Sequence, residues 1–135
     1  MIRLLIFICL VFEFQSCAVD SAQGYTFLVE NDIDAQLTLK FYHIYNPAFQ
    51  KADTTVLLSS GKKFLFGTIV GTGSVQDFLP VDKYGNILLF DSLVVIRNSD
   101  DKRSADKFTN KSDWQYAQAN SHSASYTLQI TSADF

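Results

Sequence analysis

Apolar side chains recur at every second position in two separated stretches, and that period limits the fold more than any other feature of the chain. Leu37, Leu39 and Phe41 alternate with Thr38 and Lys40, and Tyr126, Leu128 and Ile130 alternate with Thr127 and Gln129. Successive side chains of a strand point to opposite faces, so each stretch writes one dry and one wet face. The run from Tyr25 reads as a further strand that ends at the turn-forming pair Asn31-Asp32. Between Thr54 and Val70 the pattern predicts a hairpin, with Val56 and Leu58 on one arm, a turn over Ser59–Lys62, and Phe64 and Phe66 on the return. The run from Ile87 to Asn98 is apolar on both faces and broken by Asp91-Ser92. It is either a central strand or two short strands meeting at a corner or bulge. Helical signals are confined to one turn capped by Asn46-Pro47 and another between Ser104 and Trp114. Seven or so strands at this spacing predict an all-β fold, an antiparallel two-sheet sandwich of Greek-key or immunoglobulin-like type. A small barrel is the alternative.

Ahead of these strands stands a different kind of segment. Arg3 precedes an apolar run from Leu4 to Phe12, and Glu13 ends it. A bilayer span needs about 20 apolar residues, so this run is too short; a basic residue, a short apolar core and then small residues is the order of an export signal. Two cleavage readings stand. Ser16-Cys17 has the form of a lipobox end, with Phe14 where Leu is usual, and cleavage would leave a lipidated Cys17. Ser16-Cys17-Ala18 also satisfies the small-x-small rule, with cleavage after Ala18. The first accounts for a cysteine placed just beyond an apolar core. It divides the chain into a signal at 1–16, a lipidated tether at 17–24 and a sandwich domain at 25–135. The two cysteines are Cys9 and Cys17, so on this reading no disulfide is expected.

The lipobox cleavage removes one basic and one acidic residue and leaves the net charge at −3. That mild acidity predicts no nucleic-acid partner and no polybasic membrane surface. Nearly all acid in the domain is Asp, with Glu30 the one exception, and Asp favours turns over helices.

Three stretches carry a resemblance. Phe90–Lys102 (FDSLVVIRNSDDK), the single Trp114 and the ending Tyr126–Phe135 (YTLQITSADF), with the Ser-Cys leader, resemble small Bacteroidetes lipoproteins that carry immunoglobulin-like sandwich domains. The resemblance implies a lipid-anchored protein of the outer membrane or cell surface. A secreted or periplasmic soluble protein is the alternative. It also implies a form of O-glycosylation at Asp-Ser/Thr followed by an apolar residue or Thr, which Ser21, Thr54 and Ser92 match in form; plain turn chemistry explains the same dipeptides.

Signatures of catalysis are weak. Gly71-Thr72-Gly73-Ser74-Val75-Gln76 opens like a dinucleotide loop but ends in Gln, with Pro80 where a helix should run. His43 and His122 are the only histidines, too few for a zinc site, and no Gly-x-Ser-x-Gly elbow presents a serine. His43 reads as a core or rim histidine and His122 as a loop residue. Asp32 and Asp34, or Asp100, Asp101 and Asp106, supply hard oxygens without the spacing of a calcium loop. Trp114 and Tyr116 share a strand face in a polar stretch, either as a sugar-stacking platform or as a cap on the core. The expectation is a non-enzymatic binding or structural module that needs no cofactor and no metal. Its partners would be the membrane and either a glycan or an outer-membrane protein. A glycan-binding accessory protein and a small periplasmic hydrolase are the alternatives.

Overall fold

A computed structural model describes residues 22–44, 53–77 and 81–135. Eight strands are named among them: β1 (Ala22–Asn31), β2 (Leu37–Tyr42), β3 (Thr54–Leu58), β4 (Lys63–Thr72), β5 (Ser92–Arg97), β6 (Lys102–Arg103), β7 (Trp114–Asn120) and β8 (Ser123–Ile130). They form two four-stranded sheets, in the orders β4-β1-β8-β7 and β3-β2-β5-β6. The fold is thus the all-β two-sheet sandwich that the alternation predicts. Every neighbouring pair is antiparallel except β1 and β8, which run parallel. In immunoglobulin constant domains the first, second, fourth and fifth strands share a sheet; here the first and second lie at the centres of opposite sheets.

This order comes from a ribbon bent across both layers. β1 passes through residues 32–36 into β2, and β3 returns through residues 59–62 into β4, so β1 pairs with β4 and β2 with β3. The hairpin expected between β3 and β4 is therefore absent. Its turn forms, with Lys62 N–H donating to Ser59 O, but the two arms belong to different sheets. Alternation reports which face is dry and is silent on which strand lies alongside.

Asn31 holds both corners together. Its side chain is fully buried and donates to Ala35 O at 2.8 Å and Leu58 O at 3.0 Å, while its Oδ1 accepts from Ile33 N–H at 3.0 Å. Its own backbone N–H and C=O bond Lys62 and Gly61. A buried amide with its groups paired stabilises one geometry of the bend; the same amide unpaired costs roughly 1–3 kcal/mol per group.

Between the sheets lies an aromatic core. Phe41 of one sheet stacks on Phe66 of the other at 4.3 Å, and Phe90 meets both edge-on. Phe27 and Tyr25 stack on Tyr126 along the neighbouring strands β1 and β8. β1 begins three residues ahead of Tyr25. Ala22, Gln23 and Gly24, expected in the tether, are strand residues opposite Thr72, Gly71 and Val70. The break at Asp91-Ser92 is a corner: Ile87 forms only an isolated bridge with Val81, and β5 starts at Ser92. A short 3-10 turn at Lys111–Asp113, boxed by Asn110 and Asp113, leads into β7.

Candidate functional site

At the end of the sandwich opposite the Asn31 corner, loops leave the sheets around a pocket of about 520 Å³. Asp82, Asn86, Ile87, Leu88, Phe90, Asp91, Lys107 and Thr109 line it. Ile87 and Phe90 are buried and make its floor, and Leu88 is exposed beside them. Two segments supply these residues, the crossing from β4 to β5 and the stretch before β7. Backbone bonds tie them together, from Ile87 N–H to Thr109 O (2.7 Å) and from Lys111 N–H to Gly85 O (2.9 Å), and Leu93 N–H at the start of β5 donates to Lys107 O (3.0 Å).

The first wall follows from turn chemistry. Asp82-Lys83-Tyr84-Gly85-Asn86 closes on itself because Asp82 Oδ1 accepts from the N–H groups of Tyr84 and Asn86, and Asp82 Oδ2 from the Asn86 side chain. Gly85 takes the positive φ, 83°, that the turn requires. The Asn86 side-chain amide, and then backbone N–H groups of the same loop, hold the Asp82 carboxyl below its ordinary range against a partial desolvation. Asp82 is thus a structural anion. Tyr84, at the tip, is 72% exposed, with Lys83 Nζ 4.8 Å from its ring centroid.

The second wall depends on Trp114. Phe108 sits between the lining residues Lys107 and Thr109 with its side chain buried and its φ at 52°. A positive φ is unfavourable for a bulky residue and persists only where the surroundings enforce it. Trp114 Nε1–H donates to Phe108 O at 3.1 Å, and Asp106 Oδ1 accepts from Phe108 N–H at 3.0 Å. The indole itself is 5% exposed, edge-on to Phe27 and tilted against Phe90. It stands behind the pocket wall and offers no open face for a sugar ring to stack on. Tyr116, on the same side of β7, is half-buried against Tyr126, and its buried hydroxyl has no hydrogen-bond partner among the described residues.

His43 stands at the rim of the same end. It follows β2 directly with φ 48°, its N–H donates to Asp53 Oδ1 at 2.9 Å, and its Nδ1 lies 2.9 Å from Asp91 Oδ2. The corner is tied by Asp91 N–H donating to Tyr42 O. The side chains of His43 and Asp91 are 66% and 50% exposed. An acid–base pair tuned for catalysis is ordinarily desolvated; this one faces water. The described lining residues include no serine or cysteine to act as a nucleophile.

Other residues singled out in the sequence lie elsewhere. Cys17 and Ser21 fall outside the described residues, as does the expected turn at Asn46-Pro47. Thr54 opens β3 opposite Phe41, and Ser92 opens β5 opposite Tyr42; both are half-buried in ladders. His122 lies in the β7–β8 turn with Nδ1 3.2 Å from Gly73 O. Three acids of the two oxygen clusters bond other groups: Asp32 accepts from Gln129 across the sheet end, Asp100 pairs with Arg97, and Asp106 accepts from the following N–H groups. No group of three or more metal-ligating side chains occurs among the described residues. Gly71 is a β4 residue, and Gly73 follows the strand at φ 103°. None of the motifs named from the sequence marks the pocket; Asp82, two residues before Tyr84-Gly85-Asn86, is the available signal for its first wall.

Comparison with protein-family models, with curated proteins and with solved structures found no match.

Proposed function

We propose that this protein is an exported, lipid-anchored, non-enzymatic binding module of the bacterial outer membrane, and that its ligand sits in the pocket between Asp82 and Thr109. The pocket carries this reading: an open cavity of about 520 Å³ with an apolar floor and convergent charged and amide groups. Binding sites for small molecules occupy roughly 300–1,000 Å³; this one is lined by five polar side chains and three apolar ones, a more polar wall than most. The Asp91 carboxylate, the Lys107 ammonium and the Thr109 hydroxyl supply acceptors and donors in one place, which suits a ligand rich in hydroxyl groups. A glycan is the ligand class with a specific observation in its favour, the exposed Tyr84 ring on the loop that forms the first wall. The leader supports the address, since Arg3, the apolar run to Phe12 and Ser16-Cys17 have the order of an export signal ending at a cysteine; two or three acyl chains on that cysteine would hold a membrane firmly where one binds only marginally.

Two experiments test the reading. Calorimetric titration with a panel of neutral and acidic oligosaccharides should find a ligand for the wild type whose affinity falls at least tenfold in D91A and K107A, while thermal melts stay level. Binding that survives both substitutions removes the pocket from the proposal, and no binding by the wild type to any member removes the glycan. For the anchor, labelled palmitate should enter the wild type and not C17A, and C17A should leave the membrane fraction.

A further inference from the structure

We propose that two copies of this chain associate through β4, joining their first sheets edge to edge into one continuous eight-stranded sheet. β4 is a ten-residue edge strand with β1 as its only neighbour among the described residues. Edges of this kind are normally blunted by charge, shortness or proline. The other edge of the same sheet, β7, carries only Ala117, Gln118, Ala119 and Asn120 beyond Tyr116, exposed and without a large apolar side chain. In the second sheet β6 is two basic residues long and β3 is half the length of β4. β4 instead reads Lys-Phe-Leu-Phe-Gly-Thr-Ile-Val-Gly-Thr, with Leu65 49% and Val70 69% exposed. Its single charge, Lys63, is already paired with Glu30 at 2.9 Å.

The occupant follows from the pattern of the strand about its own centre. β4 carries a bulge between the positions opposite Phe27 and Leu28, so Leu65 and Val70 both face outward although five positions separate them. Laid antiparallel against a copy of itself about a two-fold axis at Thr68, with Phe66 and Gly67 of each chain together facing Ile69 of the other, Leu65 of one chain stands opposite Val70 of the other, twice. Lys63 then stands opposite Thr72 of the other chain, and the two lysines lie at opposite ends of the seam. Self-complementary patches of this kind make closed two-fold dimers, with the edge N–H and C=O groups supplying the bonds.

Cysteine cross-linking tests the register with the full-length chain carrying C9S and C17S in mild detergent. A mixture of L65C and V70C chains should form a disulfide dimer on oxidation, because directly opposed strand residues lie within the reach of a disulfide. L65C alone should not, since with the bulge its two copies would be four ladder positions apart, roughly 13 Å along the strand. Light scattering should give twice the monomer mass for the wild type and the monomer mass for V70K, with the strand spectrum unchanged. The proposal is overturned by a wild type that stays monomeric up to its solubility limit, or by a mixture that cross-links no better than L65C alone. The cross-linking arm stands even if V70K does not fold.

Discussion

Replacing Trp114 separates a structural indole from a ligand-contacting one. W114A removes a ring packed on Phe27 and Phe90, and emptying a buried aromatic site costs about 3–5 kcal/mol. It also strips Phe108 O of its donor, and an unsatisfied buried carbonyl costs a further 1–3 kcal/mol or so. The sum, roughly 4–8 kcal/mol, approaches the whole stability of an ordinary domain of about 5–15 kcal/mol. W114F keeps most of the ring contact and loses only the N–H, so about 1–3 kcal/mol is expected. Urea denaturation followed by circular dichroism measures both, since the chain has a single Trp and the variants lose their fluorophore. The midpoints should fall in the order wild type, W114F, W114A. W114F should also weaken any pocket ligand, because the released carbonyl lets the Lys107–Thr109 wall relax. Equal loss in both variants would show that the hydrogen bond does everything and the packing nothing. A midpoint unchanged in W114A would refute the burial argument outright and return Trp114 to the surface as a platform.

Two further outcomes follow from other positions. N31D places a carboxyl where the amide now donates to Ala35 O and Leu58 O. A fully buried carboxyl rises by roughly 3–5 pH units at about 1.4 kcal/mol each; the part expressed at neutral pH spans the roughly three units above the ordinary carboxylate value, so N31D should lose about 4 kcal/mol there. Because the folded value is raised, the loss is smallest in acid, grows as pH rises above the ordinary carboxylate value and levels off above the folded one; the same deficit in denaturation near pH 4 and near pH 7 would sink this. In the wild type, Asp100 is lowered to about 2, chiefly by its bond to Arg97, and Asp77 and Asp82 are lowered by Lys111 and Asn86 respectively. Their stabilisation is fully present above the ordinary carboxylate value and is lost as pH falls through the folded values. Asp113, raised by burial and then by Asp106, works in the opposite sense. Thermal melts should therefore hold steady down to about pH 4 and drop below it, and D100N should flatten the lowest part of the fall.

The period of two in Leu37–Phe41 and Tyr126–Ile130 was enough to establish strands, their buried faces and a two-layer core, because a side chain's face depends only on its own strand. Turn chemistry was equally local: Asp82 to Asn86 closes on itself, and Asn110 with Asp113 boxes a 3-10 turn. Partnership was not local. Phe64 and Phe66 show the same alternation whether β4 lies beside β3 or beside β1, and a buried Asn31 bonding both corners accompanies the second arrangement. Polar surroundings in the sequence left Trp114 open to two readings; the fold put Phe27, Phe90 and the Phe108 carbonyl around it. The pocket is more distant still from the sequence. Its walls lie some twenty positions apart and meet only because the crossing from one sheet to the other passes beneath residues 107–109. The pairing of those segments, through Ile87 with Thr109 and Leu93 with Lys107, is a property of the packed sandwich and of no stretch of chain alone.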